Sequence, residues 1–217
     1  MRIALIGPAH PDKGGAARHT TELAYRLAAA GHNVIIESWR AAGPAASDPA
    51  ASGRADGDPY PRTYRRLARY RPDGWIAAGR RLRSADLVVF ALLSQAQVPS
   101  YLSVLTVLAL GPDRPRTALI CHTALPAAVP GEQALTRTLL ARADTVIVHS
   151  AAQAARARAL APEVPIVIAR MPPHPPAATP VLEDLLAERS VDLAPGPATD
   201  PEPYWPAYLH ALGATPA

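Results

Sequence analysis

The sequence predicts an α/β fold, a Rossmann-like parallel sheet with helices on both faces. Two observations carry that reading. Short runs that are apolar at every position recur along the 217 residues, the pattern of strands covered on both faces rather than on one. Between them lie longer stretches whose apolar residues return at helical spacing, so strands and helices alternate as in crossover-connected sheets.

The elements follow in chain order. Met1–Gly7 (MRIALIG) holds a first strand at Arg2–Ile6 that stops at a glycine. Ala16–Ala30 is predicted helical, with Leu23, Ala24, Leu27 and Ala28 on one face, Glu22 and Arg26 on the other, and Gly31 placed to end it in a left-handed cap. A second strand is expected at Asn33–Glu37. Ala41–Asp58 is poor in bulky side chains and rich in Gly, Pro, Ser and Asp, the composition of a flexible loop. Pro61–Ser84 reads as helix in one or two pieces. Asp86–Leu92 is the next strand and Pro99–Leu110 the next helix. No charged residue occurs from Leu87 to Pro112, which is long enough to suggest a membrane span. Ser94-Gln95-Ala96-Gln97 and Pro99 interrupt it, so a strand followed by a buried helix is the better reading. Further strands are expected at Thr117–Cys121, Thr145–Val148 and Ile166–Ala169, with helices at Glu132–Arg142 and Ala151–Leu160. One domain is thus placed at residues 1–174. Residues 175–217 are a proline-rich tail with a short helix at Val181–Glu188 and a docking helix near 201–213, where Trp205, Tyr208 and Leu209 need apolar cover.

Composition narrows the function. The net charge is +4, and the densest basic stretch, Arg62–Arg83, reads either as a solvated helical face or as a surface for anionic lipid headgroups or a phosphorylated substrate. No recognition-helix or aromatic RNA-binding pattern accompanies it, so nucleic acid is not expected as a partner. Cys121 is the single cysteine, which excludes a disulfide framework and a cysteine metal cluster and suits a reducing compartment. Met1 leads directly into a strand without a signal-type segment, and a cytoplasmic protein is expected.

The most informative local feature is the loop PAHPDKGG between the first strand and the first helix. Lys13 is the only lysine among 22 Lys and Arg residues, and it precedes Gly14 and Gly15. Glycines allow close approach to the backbone, and a helix N-terminus favours an anion. The loop is neither G-x-G-x-x-G nor G-x-x-x-x-G-K-[ST], so no dehydrogenase or NTPase follows. His122, His149 and His174 fall at strand ends on the ligand side of such a sheet. Their spacing matches no zinc site, and no metal is expected. No G-x-S-x-G elbow is present. Asp12, Glu132 and Asp144 are the nearby carboxylates, with nothing in the sequence to pair them.

These pieces together resemble the N-terminal domain of GT-B glycosyltransferases, in the large family 4 of retaining enzymes. The residues that carry the resemblance are Met1–Gly7, Lys13-Gly14-Gly15-Ala16-Ala17-Arg18-His19, Leu23–Val34 (LAYRLAAAGHNV), Cys121-His122 with Pro126, and Thr145–Ser150 (TVIVHS). The resemblance implies that Gly14 and Gly15 face the diphosphate of a nucleoside-diphosphate sugar, with Lys13 or Arg18 adding positive charge. His122 would contact the donor sugar or the acceptor, as the catalytic candidate. Ser94, Gln97 and Ser150 lie on the same edge by topology and are acceptor-side candidates. The partners implied are the nucleotide sugar, as substrate with no resident cofactor, and a sugar or lipid-linked acceptor. Peripheral contact with the inner face of a membrane is a further expectation.

The sequence also departs from the family pattern. Thr123, Ala127 and Ala128 stand where relatives carry Asn after the histidine and His-Glu after the proline. The roughly 40 residues beyond the domain are too few for a second Rossmann domain. The expectation is an acceptor-side half whose donor-binding half comes from a separate subunit. The alternative is a non-catalytic, degenerate or regulatory module that binds sugar or phosphate.

Overall fold

Seven strands pair into one all-parallel sheet in the order β3-β2-β1-β4-β5-β6-β7. The computed structural model describes residues 1–12, 14–40, 59–68, 71–111, 113–122, 125, 130–171 and 204–214. The strands are β1 (Arg2–Ile6), β2 (Asn33–Trp39), β3 (Thr63–Leu67), β4 (Leu87–Leu92), β5 (Arg116–Cys121), β6 (Thr145–Val148) and β7 (Ile166–Ile168). The helices are α1 (Gly15–Ala29), α2 (Pro72–Leu82), α3 (Val98–Ala109), α4 (Pro130–Ala141), α5 (Ala151–Leu160) and α6 (Trp205–Ala211). Strand order reverses between β1 and β4, whose registers pair Ile3 with Leu87 and Ile6 with Phe90. At such a switch point the loops beyond the carboxyl ends diverge and leave a crevice.

Burial explains why the strands form. All six residues of β4 are buried, and the central strands are apolar on both faces because helices cover both. On one face α2, α3, α4 and α5 pack over Ala4, Val88, Phe90, Leu119 and Val146. On the other, α1 and α6 pack over Ile3, Leu5, Val89, Ile120 and Ile147. Gly79 of α2 permits the close approach of α3, since a Cβ there would stand 2.7 Å from Val107 Cβ. The uncharged stretch is a strand, a short 3-10 turn and the buried helix α3, and among the described residues no helix is long and apolar enough to cross a membrane.

One element differs from expectation. Residues 63–67, read as helix within Pro61–Ser84, form the edge strand β3, pairing Ile36 with Thr63 and Glu37 with Tyr64. The helix begins only at Pro72, a residue suited to a first helical turn because its missing N–H is not needed there. The arginines of this stretch therefore do not share one solvated face. Arg81 donates to Glu37 at 3.2 and 3.3 Å, and Arg66 lies 3.8 Å from the same carboxylate, whose side chain is 2% exposed. Arg83 donates twice to the Val107 carbonyl, at 3.1 and 3.0 Å, and Arg62 to Asn33. Much of the basic patch is thus paired with groups of the fold itself.

Two further ties fix the frame. Asp144 accepts from the Thr117 N–H and hydroxyl, each at 2.7 Å, and from Arg114 at 2.7 Å. Burial pushes its carboxyl up, but these donors outweigh burial and hold it below the usual carboxylate range. His32 bridges the two ends of the described fold, receiving from the Met1 amino group at 3.5 Å on Nδ1 and contacting the Ala214 carbonyl at 3.2 Å through Nε2. The expected flexible loop at 41–58, the helix at 181–188 and most of the tail lie outside the described residues.

Candidate functional site

The candidate site lies on the carboxyl edge of the sheet, where β1 runs into α1 and where β5 and β6 end. Gly14 is the N-cap of α1, with φ 111° and ψ 156°. An L-residue rarely adopts that backbone, and no atom lies within 4 Å of where a Cβ would project. No side chain caps the helix, so Gly14 and Gly15 present an exposed N-terminal turn whose dipole favours an anion. The preceding loop is held from β3. Arg65 donates to Asp12 at 2.9 Å and to the carbonyls of Ala9 and His10 at 2.9 and 3.2 Å. The His10 N–H in turn donates to Thr21 Oγ1 at 2.9 Å. Arg18 is half-buried one turn into α1. Lys13 and His174 lie outside the described residues.

Next to this turn is a cluster of histidines. His122 follows β5 and His149 follows β6, and their rings approach with His149 Nε2 3.3 Å from His122 Nδ1. His19 of α1 sets its ring edge-on to His122, with centroids 4.9 Å apart. Helix α6 closes the cluster. Trp205 stacks on His19 at 5.2 Å, and the Tyr208 ring lies 4.7 Å from it. The Tyr208 hydroxyl is 3.0 Å from His149 Nδ1 and 3.2 Å from the Ala169 carbonyl. Burial pushes the Tyr208 phenol up, so it keeps its proton, and burial lowers His149, so it stays neutral near pH 7. A neutral imidazole can accept and donate hydrogen bonds without carrying charge.

The three acceptor-side candidates are engaged in capping. The Ser94 side chain accepts from the Gln97 N–H, and Gln97 Oε1 receives the N–H groups of Leu93 and Ser94 at 2.7 and 3.2 Å. Ser150 accepts from the Gln153 N–H at 3.2 Å, while Gln153 Oε1 receives the His149 N–H at 2.9 Å. The first is a reciprocal S-x-x-Q capping box of the kind that starts helices; in the second the glutamine reaches the residue before the cap. The second also fixes the backbone of His149.

The carboxylates sort themselves by partner. Asp12 belongs to Arg65 and Asp144 to Thr117, while Glu132 lies in the first turn of α4. Cys121 is buried, and its thiol is pushed up to about 12 by that burial, which removes it as a nucleophile. Among the described residues no group of three His, Cys, Asp or Glu side chains is arranged to hold a metal ion. Sequence reasoning placed His122 and His149 on this edge but assigned no site role to His19, Trp205 or Tyr208, which it named only for the resemblance and for docking. His19 carried a signal: it stands four residues before Leu23, on the apolar stripe of α1, where an ionisable residue is out of place.

Comparison with known proteins agrees with this architecture. A lipopolysaccharide outer core galactosyltransferase, WaaB in its apo form, superposes with a TM-score of 0.54 at 14% identity, covering 82% of this chain and 50% of that one. A sucrose-phosphate synthase structure from Thermosynechococcus elongatus gives 0.51 at 17% identity, covering 87% and 98%. An alpha-glucosyltransferase in complex with UDP gives 0.49 at 13% identity, covering 77% of this chain and 43% of its own. The chain therefore spans half or less of two of these three proteins. No curated protein matches the sequence. The Glycosyltransferase Family 4 profile, however, matches residues 13–170, a span that holds the glycine turn and both strand-end histidines, and the chain belongs to that family.

Proposed function

We propose that this chain is the acceptor-side half of a retaining, metal-independent transferase that uses a nucleoside-diphosphate sugar, with the donor-binding half supplied by a separate subunit. The observation that carries the reading is the uncapped, glycine-lined start of α1, the same helix whose His19 packs against His122, within the span matched to the family. An anion set against Gly14 and Gly15 meets backbone N–H groups and a helix dipole, which stabilise a leaving diphosphate more as its charge grows. Lys13 and Arg18 would add positive charge there. His122 would contact a sugar of donor or acceptor. A sugar or lipid-linked acceptor, approached from the inner face of a membrane, completes the reading.

A second reading, a non-catalytic module that binds sugar or phosphate, is favoured by one observation. Ser94, Gln97 and Ser150 direct their polar groups into helix caps rather than towards a ligand.

Titration of the purified chain with UDP and GDP, alongside assays of diphosphate release from a panel of nucleotide sugars, tests the proposal. Saturable binding at millimolar Kd, about −4 kcal/mol, lost in Gly15→Asp and without turnover by the chain alone, is expected. Turnover by the chain alone would overturn the half-enzyme reading, and absence of binding would overturn the diphosphate site. The binding module differs in one outcome: it gives no turnover even when a donor-domain protein encoded by a neighbouring reading frame is added.

A further inference from the structure

The hydrogen bonds around His149 define which nitrogen of His122 carries its proton. His149 Nδ1 lies 3.0 Å from the Ala169 carbonyl oxygen, an atom that can only accept. Two lone pairs do not rest against each other at that distance, so Nδ1 is the protonated nitrogen of His149. Its Nε2 then holds a lone pair. The atom facing that lone pair at 3.3 Å is His122 Nδ1, which must donate. His122 Nε2 is left as the acceptor.

The opposite polarity fails at its first step. If Tyr208 donated to His149 Nδ1 and His149 Nε2 donated to His122, Nδ1 and the Ala169 oxygen would face each other unprotonated. In the favoured arrangement the Tyr208 hydroxyl donates to Ala169 at 3.2 Å, and its oxygen, 3.0 Å from Nδ1, shares the His149 N–H. Each polar contact from the Ala169 carbonyl to His122 Nδ1 then joins a donor to an acceptor. The backbone on either side of the ring is fixed as well, since the His149 N–H is bound by Gln153 and the Ala169 N–H donates to Val148 at 2.9 Å.

We propose that His149 is a positioning residue for His122: anchored by Ala169 and Tyr208, it holds His122 in the Nδ1–H tautomer with Nε2 as a hydrogen-bond acceptor. Tautomer control by the partner of the other ring nitrogen is general for histidine. Its value here rests on the reading that His122 touches substrate, because an acceptor nitrogen suits a group that donates, such as a hydroxyl, and not a phosphate oxygen. Helix α6 thereby takes part in the site through Tyr208 while lying more than fifty residues away from His149 in sequence.

Heteronuclear NMR correlating ring protons with ring nitrogens reads the tautomer directly in the full chain at pH 8, with resonances assigned by single histidine substitutions. Both His122 and His149 are expected as Nδ1–H forms. In His149→Phe, which keeps an aromatic ring but removes both nitrogens, His122 should lose that preference and move to Nε2–H. An Nε2–H form of His122 in the unmodified chain, or an unchanged Nδ1–H form in His149→Phe, overturns the proposal. If His149→Phe does not fold, the tautomer of the unmodified chain still decides. The readout needs no substrate, so a failure of UDP binding would remove the proposed function and leave this result standing.

Discussion

Arg65 on the edge strand reaches the Asp12 carboxylate at 2.9 Å and, with its other terminal nitrogen, the carbonyls of Ala9 and His10. A residue 53 positions away thus holds the loop that leads into the glycine turn. Arg65→Ala removes three hydrogen bonds from a partly exposed group and should lower stability by about 1 kcal/mol. The effect on UDP affinity should exceed the effect on stability, because the loop's geometry is lost while the sheet remains. Urea denaturation and UDP titration on the same variant separate the two, and Arg65→Lys, lacking the planar fork, should recover little.

Trp205 tests the contribution of α6. It is 2% exposed and joins the same core as Leu5, Val89 and Ile147. Trp205→Ala should cost about 3–5 kcal/mol. Trp205→Phe should cost much less, because the buried indole N–H has no hydrogen-bond partner among the described residues and its removal orphans nothing. Chemical denaturation curves give both values. Equal stability of Trp205→Ala and the parent would show that α6 does not dock in solution.

Stability should fall on the acid side. His149 is lowered from its ordinary 6.5 chiefly by burial. The unfolded chain therefore takes up a proton before the folded one does as pH drops. The sign is loss of stability beginning near pH 6.5 and continuing until the folded residue also titrates; above that pH the residue makes no contribution. Denaturation midpoints from pH 8 to pH 5 should decline, and His149→Phe should flatten the decline.

Gly14 and its neighbour should respond differently. With φ 111° and open space around it, Gly14 is constrained by backbone and not by packing. Gly14→Ala should cost about 1–3 kcal/mol and displace the anion-facing N–H groups. Gly15 is the first helical residue and needs no left-handed backbone, so Gly15→Ala should leave stability unchanged or slightly raised. Melting temperatures of the pair distinguish a conformational requirement from a general preference for small residues.

The sheet was legible because strands covered on both faces carry continuous apolar runs, so β4 throughout and β5 from Ala118 to Cys121 announce themselves without any need for alternation. The edge strand β3 was not, since Thr63–Leu67 carries two arginines whose partners, Asp12 and Glu37, are remote in sequence. His122 and His149 were visible as polar residues closing apolar runs. What joined them was not: a docking helix was expected near 201–213, but which rings Trp205 and Tyr208 meet depends on the register in which α6 settles, and its apolar content does not specify that. Ser94 and Ser150 were on the expected edge, and their S-x-x-Q spacing was itself the sign of caps.

One imidazole, that of His32, touches both Met1 and Ala214. The way in and the way out of the folded unit therefore share a single point on its surface. A unit closed in this manner behaves as a loop rather than a line: its ends can be joined and the backbone reopened elsewhere, or the whole can sit as an insert in a longer polypeptide, with no core strand disturbed.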